Sequence, residues 1–322
     1  MRKPLALAAL AAFAAAPAPA QDAAPPTPAS IVAEAPASHW RAIDPADLLT
    51  MTLAPDRDGN PRQAVIQLMP PPFSQGWVEN IRTLAKAQWW DGTSVYRVVD
   101  NWVAQWGDGE DDEARAKPLP DGLRTVPESE YATPVQPGPE EGRDFVLTPR
   151  REEIVVNRWL DSYAVTAFVA GWPIGLDDGG GRTVWPIHCY ATVGVARDLS
   201  PDTGTGAELY AVIGHAPRAL DRNIAVVGRV IEGIEHLSTL PRGTGEAGVY
   251  TDPALRVPIV SVRLGDTLPP AEQPRFEYLA SDSKSFARYV QVRANRHDAF
   301  YRVPAGGVDV CNVPVPIRRI AP

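Results

Sequence analysis

Thirty-four prolines and 25 glycines among 322 residues interrupt this chain too often for long helices to run. Proline removes an amide donor and clashes with the preceding helical turn, and both residues favour turns. What lies between them is short and apolar. Leu48–Leu53, Gln63–Met69, Val95–Val99, Tyr190–Val195, Leu209–Ile213, Ile224–Val230 and Val257–Leu264 have strand length and strand composition. The loop Asp56-Arg57-Asp58-Gly59-Asn60 marks a hairpin between the first two. Helical spacing holds over Phe73–Trp90, where Trp77, Ile81, Leu84 and Ala85 share a face behind Ser74 as N-cap. A second, short helix is expected at Ile231–Leu237. The pattern predicts a mostly β fold, a closed antiparallel β-barrel capped by two helices, rather than a doubly wound sheet.

The ends differ from this middle. Arg2 and Lys3 precede an apolar run from Leu5 to Ala16, and Ala18-Pro19-Ala20 supplies small residues for cleavage. Residues 1–20 therefore read as a signal peptide cut after Ala20, too short to span a bilayer. The mature chain is expected to be periplasmic or secreted, without membrane insertion. Residues 21–39 are Ala/Pro-rich and read as a flexible linker. Residues 109–150 carry many prolines and acids and read as irregular, Glu153–Ala170 as partly helical. In the tail, Ser281–His297 reads as a helix and Val303–Pro322 as extended chain. Residues 275–322 hold eight basic and four acidic residues, on a chain whose formal net charge is −8. Loss of Arg2 and Lys3 makes the mature chain more acidic still, which argues against nucleic acid as a partner. The two cysteines, Cys189 and Cys311, are either bridged, as an oxidising compartment favours, or two buried thiols.

Two stretches carry the chemistry. In Asp91–Asp108 a single arginine, Arg97, sits in an apolar strand followed by Gln105 and a Gly-Asp pair. In Gly194–Gly228 small and polar residues give way to aromatic ones, closed by Leu220-Asp221. In order and spacing these segments resemble the cyclophilin family of peptidyl-prolyl cis–trans isomerases, or rotamases. Asn80 and Trp90-Asp91-Gly92-Thr93 stand where that family has a helical asparagine and a Tyr/Trp-Asp/Lys-Gly-Thr turn. Val95-Tyr96-Arg97-Val98-Val99 is similar to Phe-His-Arg-Val-Ile, and Gln105-Trp106-Gly107-Asp108 to Gln-Gly-Gly-Asp. Gly206-Ala207-Glu208-Leu209-Tyr210-Ala211 and Ala219–Gly228 stand for two later motifs, with Ala219 and Ile224 replacing a tryptophan and a histidine. The resemblance spans residues 47–265 with an insertion at about 109–187. It implies a cyclophilin-like domain over 40–265 and a C-terminal extension over 266–322.

By that resemblance Arg97 is the catalytic cation and Gln105 its hydrogen-bonding neighbour. Trp102, Val103, Tyr210 and Leu220 are expected to wall a proline pocket, and Ala207 and Glu208 to line the groove beside it. No cofactor is implied. Expected partners are proline-containing segments of unfolded or exported proteins, whose folding the enzyme assists. The competing expectation is a non-catalytic envelope module that binds such segments. Other chemistries find little support. No Gly-x-Ser-x-Gly turn is present, Gly204-Thr205-Gly206 lacks the dinucleotide pattern, and the histidines lack zinc spacing. The acidic runs at Asp108–Glu113 and Asp177-Asp178 read as solvated loops.

Overall fold

The computed structural model describes residues 25–320, except 111, 113, 138–143, 148–151, 156–158, 178–182 and 299. The leader expected at residues 1–20, the start of the linker and parts of both acidic runs lie outside the described residues. Eight antiparallel strands close a barrel: β1 (Leu48–Leu53), β2 (Arg62–Leu68), β3 (Ser94–Val98), β4 (Val103–Gly107), β5 (Thr192–Val195), β6 (Leu209–Val212), β7 (Val226–Glu232) and β8 (Val257–Leu264). Around the barrel they run β5–β6–β4–β3–β8–β1–β2–β7, and β7 pairs back to β5. Side chains alternate along each strand. Ala104 and Trp106 of β4, and Leu209 and Ala211 of β6, point into the main core with Leu49, Met51 and Ile66. Val103, Gln105, Tyr210 and Val212 consequently face outward.

The helix Gln75–Lys86 closes the barrel by burying Trp77, Ile81, Leu84 and Ala85. Ser74 precedes it in a left-handed conformation, and its side chain makes no cap hydrogen bond. The helix ends four residues before Trp90, where the chain turns into Asp91. The Asp91 carboxylate receives both terminal nitrogens of Arg263 on β8, at 2.8 and 2.6 Å. This fork holds its carboxyl below the usual 3.8. A carboxyl depressed in the folded state stabilises above its unfolded pKa and loses that stabilisation as pH falls through the folded value. The melting-temperature gap between the wild type and Arg263→Met is therefore expected to be constant above about pH 4 and to close towards pH 2. A gap that persists unchanged at pH 2 would assign the loss to packing.

The insertion is irregular only up to Ala132, apart from a turn at Glu128–Tyr131, and its middle is not helical. It forms a seven-stranded sheet in the order Glu152–Val155, Asp144–Leu147, Thr133–Pro137, Thr183–Pro186, Trp172–Leu176, Val165–Val169, Trp159–Leu160. Branched residues at Val165, Thr166 and Val169 favour the extended chain. Prolines at 134, 137, 173 and 186 sit within strands and obscure the pattern.

The linker and tail also differ from expectation. Pro28–Ala33 is a helix, capped reciprocally by Thr27 and Ser30, and Ile31 is buried. It packs with Trp40, Leu279, Phe286, Tyr289 and Val290 in a second core. Trp40–Ala42 then pairs with Phe276–Leu279, which pairs with Ile317–Arg319, so both ends of the described chain share one small sheet. The tail helix is Lys284–Ala294, and most of 303–316 is irregular rather than extended. Cys189 and Cys311 are bridged, with Cα atoms 5.1 Å apart. Among the described residues no helix is long and apolar enough to cross a membrane.

Candidate active site

Three outward residues stand in one row across adjacent strands. Arg97 of β3 is opposite Gln105 of β4, Gln105 is opposite Tyr210 of β6, and Tyr210 is opposite Gly194 of β5. Residues directly opposite each other in antiparallel strands present their side chains on one face, about 5 Å apart. The row depends on a bulge. In β3 Val95 pairs with Trp106, and the register then shifts, so that Arg97 rather than Tyr96 lies opposite Gln105. Two residues oppose one, and the Gln105 amide serves both. Its Oε1 accepts from Arg97 Nη1 at 2.7 Å, and its Nε2 donates to the Tyr96 hydroxyl.

Arg97 is half-buried and has no carboxylate within ion-pair distance among the described residues. Its Nε donates to the Ala247 carbonyl at 2.6 Å, and its guanidinium lies 5.9 Å from the Trp102 ring centre. Burial lowers its pKa below the usual arginine value, yet an arginine shifted in this way remains charged at neutral pH. Trp102 is 39% exposed and flanks the guanidinium rather than flooring a pocket. Val103 and Tyr210 pack with Val212, and Val99, Leu220 and Ile224 lie against them in a small apolar cluster separate from the main core. Val103 and Tyr210 are only 3% and 4% exposed, so this recess is shallow.

On the other side of Gln105 is a recess of about 340 Å³, lined also by Arg197, Asp198, Asp202, Thr205 and Glu208. Glu208 Oε1 accepts the amide of Asp108 at 2.8 Å, and burial raises its pKa. Gly107 makes room for that carboxylate, because a Cβ there would lie 2.1 Å from Glu208 Oε2. Ala207 does not line the groove. It is packed in the main core, and its carbonyl accepts from Trp90 Nε1 at 2.8 Å.

Sequence reasoning missed a buried polar chain behind Tyr210. His188 is fully buried, with Nε2 3.0 Å from the Tyr210 hydroxyl and Nδ1 3.0 Å from Asp221 Oδ1. Arg218 joins Asp221 to Asp161 of the insertion. These residues are 22 to 57 positions apart in pairs, apart from Arg218 and Asp221, and nothing local in the sequence signals them.

Residues 76–264 match the family model described as cyclophilin type peptidyl-prolyl cis-trans isomerase/CLD. Among solved structures, a cyclophilin from Hirschia baltica aligns at 22% identity with a TM-score of 0.60, over 92% of this chain and 98% of that one. At that identity the likeness is one of fold, and it reaches beyond the family-model match at both ends. A cyclophilin-type peptidyl-prolyl cis-trans isomerase from Cryptosporidium parvum aligns at 10% identity with a TM-score of 0.36, over 67% of this chain and 97% of that one. No curated protein matches the sequence.

Proposed function

Because this chain belongs to the cyclophilin-type peptidyl-prolyl cis–trans isomerase family, we propose that it turns X–Pro bonds of exported polypeptides at the Arg97–Gln105–Tyr210 row and thereby assists their folding. The unaided bond exchanges in tens to hundreds of seconds, because amide resonance imposes a barrier of about 18–20 kcal/mol. Twisting the bond pyramidalises the prolyl nitrogen and makes it basic. A fixed cation with donors aimed at that nitrogen stabilises the twisted state more than either planar one, which is the condition for catalysis.

The observation that carries this reading is the state of Arg97. Its guanidinium is anchored by Ala247 and Gln105, carries no carboxylate partner among the described residues, and stands next to an apolar cluster. Gln105 fixes the fork, while Val103, Tyr210 and Leu220 offer the surface for the proline ring. The residues preceding proline would pass over the recess beside Glu208. Export is supported by the charged start, apolar run and small-residue site of residues 1–20.

Exchange of an Ala-Pro peptide, followed by a protease-coupled or dye-linked signal, is expected to accelerate in proportion to protein concentration. N-terminal sequencing of the mature protein is expected to begin at Gln21. One feature favours a second reading, in which the chain binds proline segments with little turnover. Leu220 and Ile224 lie over a recess that is almost closed. That reading predicts saturable peptide binding with exchange no faster than in buffer.

A further inference from the structure

We propose that His188 and Asp221 are positioning residues for the isomerase reaction, fixing the ring of Tyr210 through its hydroxyl and tying that ring to the inserted sheet. The inference rests on the isomerase reading of the Arg97–Gln105–Tyr210 row and adds to it a device the row does not need for burial alone. A phenylalanine at 210 would present the same apolar ring. A hydroxyl buried at 4% exposure costs free energy unless it is hydrogen-bonded. Its partner here is purpose-built.

Asp221 sets the proton order. Its Oδ1 accepts the backbone amide of His188 at 2.9 Å and faces His188 Nδ1 at 3.0 Å, while Oδ2 accepts from Arg218 Nε at 2.7 Å. A carboxylate bound in this way only accepts, so Nδ1 carries a proton. With Nδ1 turned to Asp221, Nε2 faces the Tyr210 hydroxyl at 3.0 Å. The two rings are nearly parallel, at 14°. Arg218 is itself held from the insertion. Its Nη1 reaches Asp161 Oδ2 at 2.5 Å, and its guanidinium lies 4.7 Å from the Tyr163 ring centre. Asp161 is fixed by the amides of Tyr163 and Ala164.

A separate observation points the same way. On the strand beside Tyr210, Gly194 leaves the space the phenol occupies: a Cβ there would lie 2.3 Å from the hydroxyl and 2.4 Å from the carbon bearing it. The barrel thus has a slot for a tyrosine in one orientation and an acceptor at its end. Since Tyr210 neighbours Gln105 in the row, a fixed ring also limits where the proline ring can sit relative to Arg97. The insertion becomes part of the active-site wall through four ion-paired or hydrogen-bonded contacts, Asp161–Arg218, Arg218–Asp221, Asp221–His188 and His188–Tyr210.

The test is a double-mutant cycle on Tyr210→Phe and His188→Gln, with kcat, KM and melting temperature measured for each. Tyr210→Phe is expected to lower kcat by roughly three- to tenfold, the worth of one buried hydrogen bond, with KM within about twofold. His188→Gln is expected to lower kcat comparably, and the double variant no further than either. Gly194→Ala, which keeps every polar residue of the chain but pushes the phenol out of its slot, is expected to reproduce the kcat loss. Wild-type kcat in Tyr210→Phe, or a His188→Gln loss that persists in the Tyr210→Phe background, would overturn the proposal while leaving the isomerase reading in place. A wild type without activity would remove both. A role confined to stability would appear as lowered melting temperatures with kcat unchanged.

Discussion

Arg97→Ala is expected to reduce kcat/KM for an Ala-Pro peptide by about 10²- to 10³-fold, the usual cost of deleting one preorganised donor at a site of developing charge. The loss should lie in kcat, because the apolar cluster that would hold the proline ring does not include Arg97. Stability should change little. The guanidinium is half-buried, makes two hydrogen bonds to Ala247 and Gln105, and forms no described ion pair. Loss of its contact with Trp102 removes on the order of 0.5–1 kcal/mol at most. Arg97→Lys is the sharper comparison. Lysine keeps the charge but not the fork that engages Ala247 and Gln105 together, so it should restore less than about a tenth of the lost activity. Equal rates for wild type and Arg97→Ala, with both folded, would exclude this arginine from the mechanism.

The second large effect concerns stability. Cys189 and Cys311 are 122 positions apart, and their bridge fastens the tail to the segment entering β5. The chain-entropy account gives a bridge of this span roughly 4–5 kcal/mol as an upper figure, and measured losses for native bridges run about 2–5 kcal/mol. Cys189→Ser with Cys311→Ser is expected to lower the unfolding free energy within that range in urea titration. A reductant should move the wild type to the same midpoint. The contacts of Ile187 and Val310 beneath the bridge stay in place in the variant, so its loss measures the crosslink more than packing. An unchanged midpoint in both experiments would show that the packing alone fixes the tail. Such a dependence suits an oxidising compartment.

Much of the barrel was legible because its strands are short, apolar and bounded by turn residues. Val257–Leu264 was bounded correctly, and the hairpin around Asp56 was recognisable from its Asx-type turn, with Asp56 accepting from Asp58 and Asn60. The inserted sheet was not legible. Its strands hold prolines at 134, 137, 173 and 186, which break the alternation by which a strand is recognised. The linker was misread for a related reason. Ala/Pro-rich composition suggests a tether, yet one Ile31 and a Thr27–Ser30 cap suffice once a tail helix offers a partner. At the site, Arg97 and Gln105 were nameable from the family resemblance. The β3 bulge that makes one amide serve both Tyr96 and Arg97 was not, since a register shift is a property of the pair of strands. The Asp161–Arg218–Asp221–His188 chain was invisible because its members meet only after insertion and barrel have packed.

Trp40–Ala42 and Ile317–Arg319 both lie beside Phe276–Leu279. Ile43, Leu48, Val65 and Phe276 form one buried group where that small sheet meets the barrel. Trimming the molecule to residues 47–265 would therefore bare greasy surface on β1 and β2, and the minimal domain that a family alignment suggests would tend to stick to itself. It also means that the small sheet cannot form until Ile317–Arg319 is free to reach Phe276–Leu279.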